Sequence, residues 1–241
     1  MNIRPLVHTV LDLLYPLVYC DICQYPLDKG VSHSFCPACL STLPLIRDPR
    51  CKKCGKPLRE DLMDYCRDCQ ASRHLFTAGL SVYEYTQTIR DLIYRYKYQG
   101  ETSLARTFGL LMGDLFAESA WPIDLVMPVP LHKRKESYRG FNQSSLLADY
   151  IAYRQGLAFR DDVLLREIDT DKQASLTRQD RMKNLKGAFT VVKPSIIKDK
   201  NILLIDDVYT TGATVDSCTA SLKEAGAAKV FVLTLATGRN I

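Results

Sequence analysis

The sequence lacks any apolar run of membrane-spanning length, which excludes a spanning helix of the ordinary kind and predicts no stable membrane insertion. It also lacks the pattern of a secretion signal, because its first apolar stretch carries Asp12 and Pro16. Charge of one sign is scarce: the formal balance over 241 residues is +5, which permits phosphorylated ligands or nucleic acid without demanding either. A scattered disulfide framework is missing as well. Of nine cysteines, eight fall into four Cys-x-x-Cys pairs near the N-terminus, and only Cys218 stands apart, as a small buried residue of the last helix. That usage places the chain in the cytoplasm. The length suits one large domain, or a domain of ordinary size with a smaller appendage.

Residues 1–19 place Leu6, Val10, Leu13, Leu14 and Leu17 at near-helical spacing, predicting an N-terminal helix that Pro16 ends or kinks. Residues 20–72 hold the paired cysteines: Cys20 and Cys23, Cys36 and Cys39, Cys51 and Cys54, Cys66 and Cys69. Each pair presents two thiolates to one ion, and two pairs close a tetrahedral structural site, so the segment predicts two Zn2+ in a double ribbon. Consecutive pairing is the expectation, although similar loop lengths leave an interleaved cross-brace open. Few large apolar residues lie between the pairs, so metal would supply much of the folding free energy.

From residue 75 to 241 the composition is that of an α/β domain. GLSVYEY (79–85) reads as a strand. The next stretch interleaves Tyr94, Tyr96 and Tyr98 with Arg95 and Lys97, which fits base stacking along a phosphate backbone and fits helical packing with solvated charges equally well. Lys97 is a candidate ligand contact. Residues 101–117 read as an amphipathic helix. A buried strand over 124–129 is stopped by Pro128 and Pro130, and a loop crowded with Lys133, Arg134, Lys135 and Arg139 follows.

The most informative stretch is KNILLIDDVYTTGATV (200–215). Ile202 to Ile205 read as a strand buried on both faces of a parallel sheet, with Asp206 and Asp207 at its carboxyl end, where open α/β sheets bind ligands. Val208, Tyr209, Thr210, Thr211, Gly212, Ala213 and Thr214 then lead into a helix that Gly226 ends. Backbone N–H groups of such a turn converge at the positive end of a helix and suit phosphate, while two carboxylates suit ribose hydroxyls or a divalent cation. Without a ligand the same letters make a strand, an Asp-rich turn and a cap.

LLIDDVYTTGAT resembles the phosphoribosyl pyrophosphate motif of type I phosphoribosyltransferases. The resemblance implies a Rossmann-like fold, Asp206 and Asp207 as the acids that take the ribose hydroxyls, residues 208–214 as the 5-phosphate loop, and Mg2+ with the ligand. PVPL (128–131), RGFNQS (139–144), the segment 173–189 and the double ribbon narrow the resemblance to the ComF family. That family implies Pro130, Lys133, Arg134 and Arg139 at the pyrophosphate, and a lid containing Gln173, Leu176, Arg178, Arg181 and Asn184. It also implies a role in natural competence, with single-stranded DNA and a helicase-like protein as partners. A catalytically inactive adaptor that grips a DNA end, or a metabolic transferase acting on a nucleobase, would carry the same motifs.

Overall fold

A computed structural model describes residues 19–27, 34–58, 63–168 and 187–238. The expected N-terminal helix and the five lid residues therefore lie outside the described residues, apart from Tyr19. The chain divides into two compact units, Met1–Leu43 and Pro44–Ile241.

The smaller unit is built around Cys20, Cys23, Cys36 and Cys39. A bridge between Tyr19 and Pro26 folds the first knuckle back on itself. The second knuckle opens helix α1 (Pro37–Thr42), with Pro in the first turn, where its missing N–H costs nothing. Cys36 caps that helix, its Sγ accepting from the Cys39 N–H at 3.4 Å.

The larger unit begins with the second cysteine set and helix α2 (Arg67–Ala71). There follow β1 (Ala78–Glu84), α3 (Gln87–Tyr98), α4 (Leu104–Ala117), β2 (Leu125–Pro128), α5 (Lys133–Arg139), α6 (Gln143–Gln155) and β3 (Ala158–Phe159). The chain continues through β4 (Leu164–Arg166), β5 (Phe189–Val191), α7 (Pro194–Ile197), β6 (Asn201–Tyr209), α8 (Ala213–Glu224) and β7 (Lys229–Thr237). Five strands form one sheet in the order β1-β7-β6-β2-β3, all parallel, while β4 and β5 pair separately and antiparallel. This is the parallel α/β architecture that the buried apolar runs predict.

The centre of the sheet is β6, where Ile202 to Ile205 are fully buried between β2 and β7. One face of the sheet, with Met127, Ile202 and Leu204, packs in a single cluster with Val215, Cys218 and Leu222 of α8. Phe76, Tyr209 and three thiols of the second set, Cys51, Cys54 and Cys66, belong to that same cluster. Residues of alternate parity face the other way, where α4 and α6 pack on each other and on the sheet.

Two local expectations change. The basic run after β2 is not a loop: His132 accepts from the Arg134 N–H and Gly140 ends the segment at φ 85°, so Lys133–Arg139 closes into the short helix α5. The strand that carries the acids also runs further than its apolar letters suggest. Val208 and Tyr209, expected to open the phosphate loop, are the last two residues of β6.

Candidate functional site

Eight thiols assemble into two sets, Cys20–Cys23–Cys36–Cys39 and Cys51–Cys54–Cys66–Cys69, and within each set all sulfurs lie within 4.8 Å of one another. Four soft donors at that separation fit one tetrahedral Zn2+ each, with no open position for chemistry. Pairing is consecutive, and the cross-brace is excluded. Burial pushes the remaining thiol, Cys218, well above its ordinary pKa, which leaves it inert.

Asp206 and Asp207 sit beside each other on β6, and the pleat turns their side chains to different surroundings. The Asp206 Oδ1 accepts from Ser144 Oγ at 3.1 Å, near the start of α6, and from the Asp207 N–H at 2.9 Å. Part of Asp206 still meets solvent, yet the protein encloses it closely. Burial first, and the neighbouring Asp207 charge second, raise its pKa to about 7. Asp207 is buried, and its Oδ2 lies 2.5 Å from Lys97 Nζ, an ion pair by distance that completes no aligned hydrogen bond. Burial pulls Lys97 down, but the Asp207 charge outweighs it and leaves the ammonium above its ordinary pKa. The weakest of the sequence candidates thus reaches the acid pair directly.

After Tyr209 the chain turns through Thr210 and Thr211 to Gly212, which caps α8 at φ 80°. Gly212 is required twice over, by that angle and by space. A Cβ there would fall 2.5 Å from Tyr209 Oη and 2.8 Å from His74 Cε1. A side chain at Gly212 would therefore collide with the turn's own support rather than with a ligand. The first N–H groups of the twelve-residue α8 stand at this turn, at the positive end of the helix dipole.

His74 is the residue that sequence reading missed. Its Nδ1 lies 2.6 Å from Asp216 Oδ2, its Nε2 lies 3.3 Å from Tyr209 Oη, and its ring stacks on Phe76 at 5.1 Å. Asp216, in the first turn of α8, also accepts from the Leu75 N–H at 2.8 Å. These bonds fix the underside of the turn from a segment more than a hundred residues away in sequence. No local spacing links His74 with Asp216, so nothing in the sequence pointed to the pair. Tyr96 corrects another expectation, since its ring is fully buried and its hydroxyl donates to the Gln143 carbonyl at 2.8 Å. It belongs to the core and cannot stack on a ligand.

The four residues expected at the pyrophosphate do not converge. Pro130 and Lys133 border a cavity of about 120 Å3 with Asn142 and Arg166. Arg139 turns the other way, into a cavity of about 550 Å3 shared with Lys97. Arg134 borders neither cavity, and its N–H caps back to His132. Among the described residues no helix is long and apolar enough to cross a membrane.

Comparison with known proteins finds one matching domain family and relatives that cover most of the chain. The double zinc ribbon domain family matches residues 10–70. Competence protein ComFC of Bacillus subtilis is 31% identical over 209 residues, covering 83% of this chain and 82% of its own. DNA utilization protein YhgH of Salmonella typhimurium is 31% identical over 219 residues, covering 88% of this chain and 94% of its own. Among solved structures, glutamine phosphoribosylpyrophosphate amidotransferase from B. subtilis superposes with a TM-score of 0.40 at 19% identity. That alignment covers 58% of this chain and 30% of the amidotransferase, a likeness too partial to add to what the strand order says.

Proposed function

The chain belongs to the ComFC family, and on that premise we propose that it binds phosphoribosyl pyrophosphate with Mg2+ at the turn between β6 and α8. We propose further that it serves natural competence in the cytoplasm, handling single-stranded DNA beside a helicase-like partner; the names of its relatives support the competence and DNA-utilization part of this reading. The observation that carries the ligand reading is the juxtaposition of two adjacent enclosed carboxylates with a helix whose glycine cap stands five and six residues further along the chain.

In this reading the acids accept hydrogen bonds from the vicinal ribose hydroxyls, and the N–H groups from Thr211 to Thr214 hold the 5-phosphate at the positive end of α8. Lys97 keeps Asp207 paired before the ligand arrives. In this reading Arg139, which lines a cavity with Lys97, meets the diphosphate, while Pro130 and Lys133 border the neighbouring cavity. Mg2+, when bound, supplies positive charge to diphosphate oxygens beside the ribose. No residue need act as a nucleophile, since positioning and charge are what such a transfer asks of the protein.

Calorimetry with phosphoribosyl pyrophosphate and Mg2+ tests the reading. Wild type should bind, and Asp207→Asn should bind at least about tenfold more weakly, the cost of losing one charge-assisted hydrogen bond of roughly 1.5–3 kcal/mol. Neither heat nor thermal stabilisation of wild type at millimolar ligand would sink it. Release of diphosphate on adding a nucleobase or DNA separates a transferase from an adaptor that only grips.

A further inference from the structure

The 550 Å3 cavity is walled by Tyr94, Tyr98 and Tyr138, with Lys97 and Arg139 between them and Gly100 at its lip. Tyr94 and Tyr98 are four residues apart on α3 and so share one face of it. Ile89, Leu92, Ile93 and Tyr96 occupy the face turned to the core. The Tyr94 and Tyr98 rings lie 5.2 Å apart, tilted by 45°. All three cavity tyrosines are open to water, at 54%, 55% and 85% of their surface. Three large rings around one concavity forgo the burial that the same rings would gain inside a core, and such exposed apolar surface marks a binding site.

The charges in the cavity are held in place. Arg139 lies over the Tyr98 ring at 4.9 Å, donates to the Tyr98 hydroxyl at 3.3 Å and donates to Gln143 Oε1. The guanidinium plane is therefore a fourth flat wall that carries charge. Lys97 lines the cavity and its ammonium lies 2.5 Å from Asp207 Oδ2, so one side chain connects the cavity with the acid pair. At Gly100 an added Cβ would meet nothing within 4 Å, which leaves the lip clear for a chain to pass.

We infer that this cavity takes the base of a nucleotide, its ring against the tyrosines beside the guanidinium plane of Arg139. The inference rests on the phosphoribosyl reading of Asp206 and Asp207, and it names the ligand on the acceptor side of that site. Tyrosine faces stack on any base and offer only hydroxyls for hydrogen bonding, so recognition discriminates little among bases. A free mononucleotide and a nucleotide within single-stranded DNA present the same chemistry.

The test uses the full chain with thymidine monophosphate, followed by calorimetry, and with a labelled short oligothymidylate, followed by fluorescence anisotropy. Tyr94→Ala combined with Tyr138→Ala should weaken binding by about 5- to 150-fold, the worth of one stacked base. Tyr138→Trp, which keeps a flat ring, should retain it. Both tyrosines are exposed, so the melting temperature and binding of phosphoribosyl pyrophosphate should not move. A loss seen with the oligonucleotide alone assigns the cavity to DNA, and a loss with both probes assigns it to nucleotides generally. Unchanged affinity of the double variant, or no binding of either probe by wild type, overturns the inference. Binding of phosphoribosyl pyrophosphate is measured beside it, so failure of the underlying reading shows as loss of that signal alone.

Discussion

The two cysteine sets have the same donors and, to within one residue, the same spacing, yet the protein uses them differently. The first set forms the centre of a small unit of its own, with Cys23 exposed and Cys39 partly so. The second is part of the core of the α/β unit. Cys51, Cys54 and Cys66 are buried beside Phe76 and Tyr209, and the Gly79 N–H donates to the Lys53 carbonyl at 2.7 Å, joining the knuckle to β1. A Cβ on Gly55, at φ 73°, would fall 2.6 Å from the Leu80 backbone, so the knuckle is pressed against the strand as closely as glycine allows. Lys56, which pairs with Asp68 at 2.7 Å, lies 5.6 Å from the centre of the Tyr209 ring. One motif can therefore be the centre of a small unit in one copy and part of the core of the α/β domain in the next.

Mutating each set in turn should separate the two roles most sharply. Cys54→Ser should remove one Zn2+ and with it much of the roughly 10 kcal/mol or more that a structural site supplies, collapsing the sheet unit. Cys23→Ser should also lower the zinc content from two to one, but leave the main thermal transition in place. Elemental analysis with melting curves followed by circular dichroism would check both. Equal damage from the two substitutions would break the distinction.

His74→Ala probes the link between the second knuckle and the turn. It leaves buried groups on Asp216 and Tyr209 without a partner, at a cost of about 1–3 kcal/mol each, and should loosen the start of α8. The expected result in denaturant titration is a lower midpoint with an unchanged slope, together with weaker binding of phosphoribosyl pyrophosphate. Stability and binding both at wild-type values would show that the contacts seen beneath the turn do not hold it.

A pH effect follows from Asp206. Its folded pKa of about 7 stands above its ordinary 3.8, so the folded form keeps a proton that the unfolded form has released between those values. Stability of the ligand-free sheet unit should therefore fall as pH rises from about 4 to about 7 and change no further on this account above that. Asp206→Asn should remove this part of the slope. A slope identical in the variant would mean that the acid pair does not carry the titration.

These particulars also show what the letters alone could reveal. The metal sets, the central strand and the acid pair were legible because each is a local pattern: ligands with two residues between them, an unbroken isoleucine and leucine run, two acids before a glycine turn. Gly226, read as the end of the last helix, does stand just past it at φ 98°. What escaped depended on residues far apart in sequence. His74 meets Asp216 only because the sheet brings them together, and Tyr96 is told from Tyr94 and Tyr98 only by the face of α3 on which it falls. The basic run misled for a different reason: its charges are conspicuous, while the caps that make it a helix, His132 and Gly140, are not.

Amide hydrogen exchange, read peptide by peptide with and without phosphoribosyl pyrophosphate and Mg2+, addresses the central claim most directly. Residues 206–214 should exchange more slowly when the ligand is present, because their N–H groups and carboxylates are the ones said to hold it, while the first cysteine set should not change. Protection confined to another region, or none at saturating ligand, would contradict the assignment of this turn as the binding site.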